Sequence, residues 1–350
     1  MASDSTPPRR TRVSLRDIAK QLGVSHVTVS LALRDHPRIS RETRERIKAE
    51  AERLGYRPDP MLTALANYRR HKSSAPISAS IAWINAWRKP DELRAHREFD
   101  AYWRGACRAA EKFGYRLDEF RVGKECSPKR LHDILTARGI RGLLLPPQFP
   151  KPDWGDFPWE EYATVRFGRS LVTPRTHLVT SDQSANTMLA FEEMRARGYR
   201  RIGFVTDEAN IRRGHVFEAG FLLAQRTVAP AERVEILSLE HIPAKDQPAR
   251  IAAWIRGEKV DALFTDLPDL PDLLAKAGLK VPDDIPLAVT SVLDASADAG
   301  IDQHPEEIGR VGFLMLNSLI NDRAQGIPPI FRQILVEGSW VDGKSLPIKK

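Results

Sequence analysis

With two cysteines in 350 residues, the chain has too few to rest on a disulfide framework or a thiolate metal site. Cys107 and Cys126 stand in no metal or redox spacing, and both are expected to be free, structural thiols. Long apolar runs are missing too. No stretch approaches the roughly 18–20 apolar residues that a membrane helix needs. The opening residues, MASDSTPPRRTRV, lack the apolar core of a secretory signal, so a cytoplasmic protein with no membrane partner is expected. Catalytic signatures are equally scarce. There is no G-x-S-x-G elbow, no P-loop and no metal-spaced His or Cys cluster, so neither an enzyme nor a bound metal or cofactor is expected.

What remains is an ordinary globular balance, 42% apolar and 29% charged, in a chain long enough for two or three domains. The formal charge of +8 is unevenly placed. Residues 1–72 carry 16 Lys or Arg against 8 Asp or Glu, whereas the rest of the chain carries 38 of each sign. These basic residues are interleaved with periodic apolar ones, which a solvated tail does not need. A folded basic module beside an electrically balanced body is the footprint of a polyanion-binding head.

Within that module, Ser14 and Asp17 form an N-cap pattern, and Leu15, Ile18, Ala19 and Leu22 follow one buried helical stripe. Gly23 supplies a left-handed stop. Ser25 caps a second helix, with Val24 and Val29 at the positions of a hydrophobic staple. Helix, Gly-Val-Ser turn and short helix make a helix-turn-helix. A third helix begins after Ser40, turns Thr43, Ile47, Ala51 and Leu54 inward, and stops at Gly55. Val29 and Leu33 of the second helix face the shared core, leaving His26, Val27, Ser30, Leu31 and Arg34 outside. Exposed Val and Leu on a basic domain suit a helix pressed into the major groove, where apolar groups meet thymine methyls.

The order D-I-A-x-x-L-G-V-S-x-x-T-V-S from Asp17 to Ser30, I-S-x-x-T-R-x-R-I from Ile39 to Ile47 and L-G-Y-x-P from Leu54 to Pro58 resembles the DNA-binding head of the LacI/GalR family of repressors. The resemblance implies that His26, Val27 and Leu31 face base edges, while Ser25, Thr28, Ser30 and Tyr56 hold phosphates. The family commonly carries Arg where this chain has Leu31, so the bidentate guanine contact is missing and a different operator is expected. After Pro58, Asp59-Pro60 and Met61 to Ala66 read as a helix of one or two turns, too short to stand alone. In the family the matching segment folds when two copies meet on DNA and a leucine wedges into the minor groove; by position that leucine is Leu65. The other reading is a linker helix packed on the body. The family's usual Asn and Ala-Arg are replaced here by Asp59 and Leu62-Thr63.

From Ile77 onward short β-rich runs at 78–84, 142–146, 201–206, 234–239, 261–265 and 286–292 alternate with helical stretches near 99–113, 127–138, 184–197, 213–226, 246–257 and 305–323. Such alternation means parallel sheets wrapped by helices, and a repeated helix-Gly-Tyr-Arg-strand junction hints at two similar halves. The body resembles the periplasmic-binding-protein-like effector domain of the same family. The expected fold is thus a three-helix helix-turn-helix head and hinge helix joined to a two-lobed α/β domain. The expected division is a flexible basic tail 1–13, the head 14–58, hinge and linker 59–75, and an effector-binding and dimerisation domain 76–350. Within that domain, lobe 1 is expected at 76–178 and 303–333, and lobe 2 at 179–302 and 334–345.

Such domains bind a small molecule between the lobes, at the carboxyl ends of the strands. Asp266 matches a family position that hydrogen-bonds the effector, but capping the next helix is an equal reading, and Asp182 carries the same split. Arg213 lies near the position of a ligand-clamping Arg, although the closest register puts Phe217 there, and a solvated helix face is the plainer use. Asp294 is a stand-in for a strand-end acid, and Gln303 sits where the lobes meet, as ligand contact or as hinge hydrogen bond. Trp83 and Trp87, at and beyond the first strand, are candidates for stacking on a sugar, against the ordinary use of tryptophan in cores. Helix 99–113, with Tyr102, Trp103 and Ala106, offers a dimer surface. The expected function is a DNA-binding transcriptional repressor, bound as a homodimer or tetramer to a double-stranded operator on the bacterial nucleoid and gated by a carbohydrate effector. A sugar-binding transport component shares the body but needs an export signal and no head; an enzyme needs a catalytic constellation.

Overall fold

The computed structural model describes residues 14–33, 39–54, 56, 79–124, 126–148, 151–207 and 214–349. The tail 1–13, the hinge 59–75 with the wedge candidate Leu65, the candidate Arg213 and the side chain of Ser30 lie outside the described residues. The chain divides into two compact units, Met1–Ser74 and Ala75–Lys350.

The first unit holds α1 (Leu15–Leu22), α2 (His26–Leu33) and α3 (Arg41–Arg53). The Ser14 backbone N–H and hydroxyl both donate to Asp17 Oδ2, at 2.8 and 2.7 Å, so the first cap forms as the sequence predicts. Gly23 ends α1 at φ +63°. Ser25 Oγ accepts from the Thr28 N–H at 3.0 Å and Ser40 Oγ from the Thr43 N–H at 3.3 Å, starting α2 and α3. Ile18, Ala19, Val29, Ala32, Ile47 and Ala51 form the buried core, with Val24, Leu33, Leu54 and Tyr56 packed around it.

The second unit opens with β1 (Ala79–Asn85), α4 (Pro90–Ala95), α5 (Arg97–Lys112), β2 (Tyr115–Arg121), α6 (Pro128–Ala137), β3 (Gly142–Leu145), β4 (Ala163–Phe167) and β5 (His177–Ser181). The chain then runs through α7 (Gln183–Ala196), β6 (Ile202–Thr206), α8 (Val216–Gln225), β7 (Leu237–Ser238), α9 (Gln247–Gly257), β8 (Ala262–Thr265), α10 (Leu270–Lys276), β9 (Leu287–Val289) and β10 (Gly300–Asp302). It finishes with α11 (Pro305–Asp322), β11 (Gln333–Val336) and β12 (Ser339–Val341). Two six-stranded sheets result, ordered β11-β5-β4-β3-β1-β2 and β12-β10-β9-β8-β6-β7. Their pairings are parallel except that of β10 with β12. Strands such as GLLL, IGFVT and ALFT are buried throughout, as strands covered on both faces must be. Separate apolar clusters fill the two faces of each sheet.

In lobe 1, α5 and α11 pack with their backbones almost touching. A Cβ on Gly105 would lie 1.9 Å from the Glu306 carbonyl oxygen, and one on Gly309 2.0 Å from that of Tyr102. Only glycine permits this approach.

The chain crosses between lobes at 181–183, 302–305 and 336–339. The expected boundaries 178/179 and 333/334 therefore need correction. β5 stays in the first sheet through Ser181, and β11 pairs beside it in the register Gln333↔Leu178 to Val336↔Ser181, so the crossing follows that strand and does not interrupt it. The run 234–239 shrinks to the two-residue edge strand β7, which meets only β6. No helix among the described residues is long and apolar enough to cross a membrane.

Candidate DNA-reading helix and interlobe cleft

On α2 part of the expected division of faces is present, while Arg34 and the Ser30 side chain lie outside the described residues. Val29 and Ala32 are fully buried, Leu33 is partly so, Leu31 is half-buried, and His26 and Val27 are exposed, Val27 by 53%. The core closes the other side of this helix, and among the described residues nothing covers Val27. Ser25 and Thr28 sit together at the amino end of α2, their hydroxyl oxygens 2.8 Å apart, where helix N–H groups favour an anion. Tyr56 follows α3 and packs against the head core through part of its surface.

In the second unit a cavity of about 400 Å³ lies between the two sheets, at the carboxyl ends of their strands. Its size falls in the range of small-molecule sites, roughly 300–1,000 Å³. Trp87, Asp266, Asp294 and Gln303, four residues that sequence reasoning singled out, meet on its wall. Trp87 donates its ring Nε1–H to the Pro147 carbonyl at 2.8 Å and packs beside His96 and Phe99, its polar tip spent inside the protein. Asp266, just beyond β8, is 8% exposed. Gln303 joins the lobes at a crossing: Ser181 Oγ donates to its Oε1 at 2.5 Å, and its Nε2 donates to the Thr290 carbonyl at 2.8 Å. It both lines the cavity and serves as a hinge hydrogen bond.

Asp294 reaches across the cleft. From lobe 2 its Oδ1 accepts the Arg97 N–H at 2.8 Å and its Oδ2 the Glu98 N–H at 3.3 Å, at the amino end of α5 in lobe 1. Ser291 Oγ donates to Glu98 Oε1 beside it. A carboxylate on the first N–H groups of a helix is favoured by both hydrogen bonding and the helix dipole. These contacts hold the lobes together over the cavity.

Two candidates take the plainer of their two readings. Trp83 is fully buried, its ring centroid 5.5 Å from those of both Trp103 and Phe167. Pleat alternation explains this: in β1, Trp83 and Ile81 point to one cluster and Ala82 and Ile84 to the other, so the strand interior holds the ring in the core. Asp182 is absent from the cavity wall. Its Oδ1 accepts the Ala185 N–H at 3.1 Å and caps α7, while its own N–H donates to the Val336 carbonyl at 2.8 Å.

Sequence reasoning missed Arg169 and Ser170, which follow β4, and Gln183, the first residue of α7; all three line the cavity. The missed signal was the strand ATVRF itself, since the residues just past a parallel strand's carboxyl end fall at the cleft. Nearby, Arg166 is buried; its Nε donates to the Thr176 carbonyl at 3.3 Å and a terminal nitrogen to that of Leu171. Burial, and then the charges of Arg169 and Arg175, push its guanidinium down to about 10.

Cys107 and Cys126 are free, and burial pushes the Cys107 thiol up to about 11, far from the reactive range. Among the described residues no group of His, Cys, Asp and Glu is placed to hold a metal.

Residues 14–59 match the model for bacterial regulatory proteins, lacI family. The transcriptional regulator PtxS of Pseudomonas plecoglossicida is 27% identical over 263 residues, 73% of this chain and 71% of that protein. Among solved structures, the transcriptional regulator CelR in complex with cellobiose covers 95% of this chain and 100% of its own, with a TM-score of 0.55 at 18% identity. The lac repressor dimer bound to operator and an anti-inducer covers 96% and 100%, with a TM-score of 0.51 at 17% identity. At these identities the solved structures speak to the fold alone.

Proposed function

Because the chain belongs to the LacI family of bacterial transcriptional regulators, DNA-binding proteins and not enzymes, we propose that it is a repressor gated by a carbohydrate effector bound between its lobes. The observation that carries this reading is the cleft: a cavity with an aromatic wall of Trp87, Phe99, Tyr102 and Phe217 among several polar side chains. Aromatic faces stack on the apolar faces of sugars, and polar groups around them fix orientation. CelR, with the same fold, holds cellobiose, which supports the assignment.

In this reading His26, Val27 and Leu31 read base edges, Ser25, Thr28, Ser30 and Tyr56 hold phosphates, and Leu65 wedges the minor groove. The working unit is a homodimer on a double-stranded operator in the cytoplasm, two heads reading two half-sites. Effector binding acts through the cleft contacts made by Asp294 and Gln303. A ligand that prefers one lobe arrangement shifts the population toward it, and DNA affinity follows by linkage.

Selection of DNA sequences bound by the full chain tests this reading. A two-fold symmetric pair of half-sites is expected, bound with an affinity that falls steeply as salt rises. A thermal-shift screen of mono- and oligosaccharides completes the test, a bound effector raising the melting temperature. DNA binding without sequence preference, or no hit in the screen, contradicts the proposal.

A further inference from the structure

Arg169, Ser170 and Gln183 line the cavity, and each carries a side-chain polar atom that no described residue uses. Arg169 Nε, Ser170 Oγ and Gln183 Oε1 are each shielded from solvent and have no hydrogen-bond partner among the described residues. The first two come from lobe 1, just past β4, and the third from the start of α7 in lobe 2. Buried donors and acceptors are ordinarily paired, because leaving them unpaired forfeits their hydration. Together with Asp266 Oδ1, which is equally shielded, the three make four shielded polar atoms on residues of one cavity wall, a set suited to recognising a ligand.

Their charge is specific. No ion pair engages Arg169 among the described residues, and its charge adds to that of the buried Arg166 close by. The cavity wall also carries the acids Asp266, Asp294 and Glu98; the last two are engaged by the α5 N–H groups and by the Ser291 hydroxyl. A neutral sugar would leave the guanidinium uncompensated, while a doubly charged phosphate would face those carboxylates across one small cavity. A single carboxylate meets both conditions, and its two oxygens match the planar fork of Arg.

Resting on the carbohydrate-effector reading above, we propose that the effector is a sugar acid, its carboxylate on Arg169 and its hydroxyls on Ser170 and Gln183. The terminal N–H groups of Arg169 take the carboxylate together with the orphaned Nε–H. Gln183 Oε1 accepts from a hydroxyl, and Ser170 donates to or accepts from another. With Gln183 contributed by the second lobe, the same ligand touches both lobes and favours the closed arrangement.

Isothermal titration of the full chain with D-gluconate, D-glucuronate and D-galacturonate, beside D-glucose, D-galactose and D-glucose 6-phosphate, tests the proposal. At least one acid is expected to bind tenfold or more tightly than its neutral parent. Arg169→Gln should weaken that acid about 10- to 100-fold, as loss of charge-assisted hydrogen bonds does. Arg169→Lys should recover part of the loss by restoring charge without the fork. Circular dichroism and the melting temperature of each ligand-free variant establish that it folds. Equal binding of neutral parent and acid, indifferent to Arg169→Gln, overturns the charge assignment while leaving the carbohydrate reading intact. Tighter binding of the phosphate than of every acid overturns the carboxylate. Binding of none of the six removes the sugar-acid proposal and counts against the carbohydrate reading itself.

Discussion

The head and the body place their candidate functional groups at opposite scales of sequence separation. His26, Val27 and Leu31 lie on one eight-residue helix, entered through a cap formed three residues apart and held by a core of neighbouring helices. In the cleft, Trp87, Arg169, Asp266 and Gln303 share one wall but come from widely separated parts of the chain. A local module writes its function as a contiguous motif. A cleft between two lobes writes its function as isolated residues at strand ends, which only the fold brings together.

The most severe way to break this comparison is to remove the head core alone. Ile47 is fully buried among few other core residues. Ile47→Ala should cost about 2–5 kcal/mol, a large share of the stability of so small a module. DNA binding is expected to fall in proportion to the fraction of heads left folded, by about tenfold or more once the loss exceeds the stability of the head. Calorimetry should meanwhile find the melting of the body in place. A body transition that moves with the head would show the two units to be one cooperative structure.

The comparison is sharpened at Leu31, where a single side chain is expected to carry base preference. Leu31→Arg should introduce a guanine preference of about 1–3 kcal/mol, or roughly ten- to hundredfold, at one position of each half-site. The unmodified chain should show no such dependence in a selection of bound sequences. Recovery of the usual family operator by the unmodified chain would remove Leu31 from the reading face.

Within the body, Asp294→Ala deletes the contacts that cross from lobe 2 to α5. Its partners are partly exposed, so a shift of about tenfold in the balance between closed and open lobes is expected, toward the low end for hydrogen bonds to a charged group. Small-angle scattering should show an expanded body, and the cleft ligand should bind more weakly, while the head's melting is untouched. An unchanged radius with unchanged affinity would reduce the contact to decoration.

The smallest effect is one of pH. Burial, and then the charge of Arg332, lowers the His177 imidazole from its ordinary 6.5, while its Nδ1 accepts the Arg332 N–H at 2.9 Å. A ring whose folded pKa is depressed favours folding above the ordinary value. As pH falls through 6.5 the unfolded chain takes up the proton first, so that stability declines. The body's melting temperature should therefore drop modestly below pH 6.5, less so in His177→Gln. No change in slope with the substitution would mean another group sets that dependence.

The parts of the fold legible in the sequence were those determined by near neighbours. Ser14, Gly23, Ser25 and Ser40 act where the sequence places them, because caps and stops depend on residues three or four positions away. The buried parallel strands announced themselves as apolar runs. The short helices α4 and α10 were not anticipated; six or seven residues are too few for a convincing period. Strand β4 escaped because ATVRF carries an arginine, and Arg166 is tolerated in a buried strand only because the Thr176 and Leu171 carbonyls receive its donors. That omission also hid Arg169. Trp83 and Trp87 looked equivalent on paper; the pleat buries the first, and the end of β1 frees the second for the cleft.

The most direct test of effector gating is the affinity of the full chain for its selected operator, with and without the carbohydrate that binds the cleft. The account predicts a change of about tenfold or more, within the usual range of allosteric coupling, which disappears in Trp87→Ala while ligand-free operator binding persists. Operator affinity unaltered by a saturating cleft ligand would contradict it.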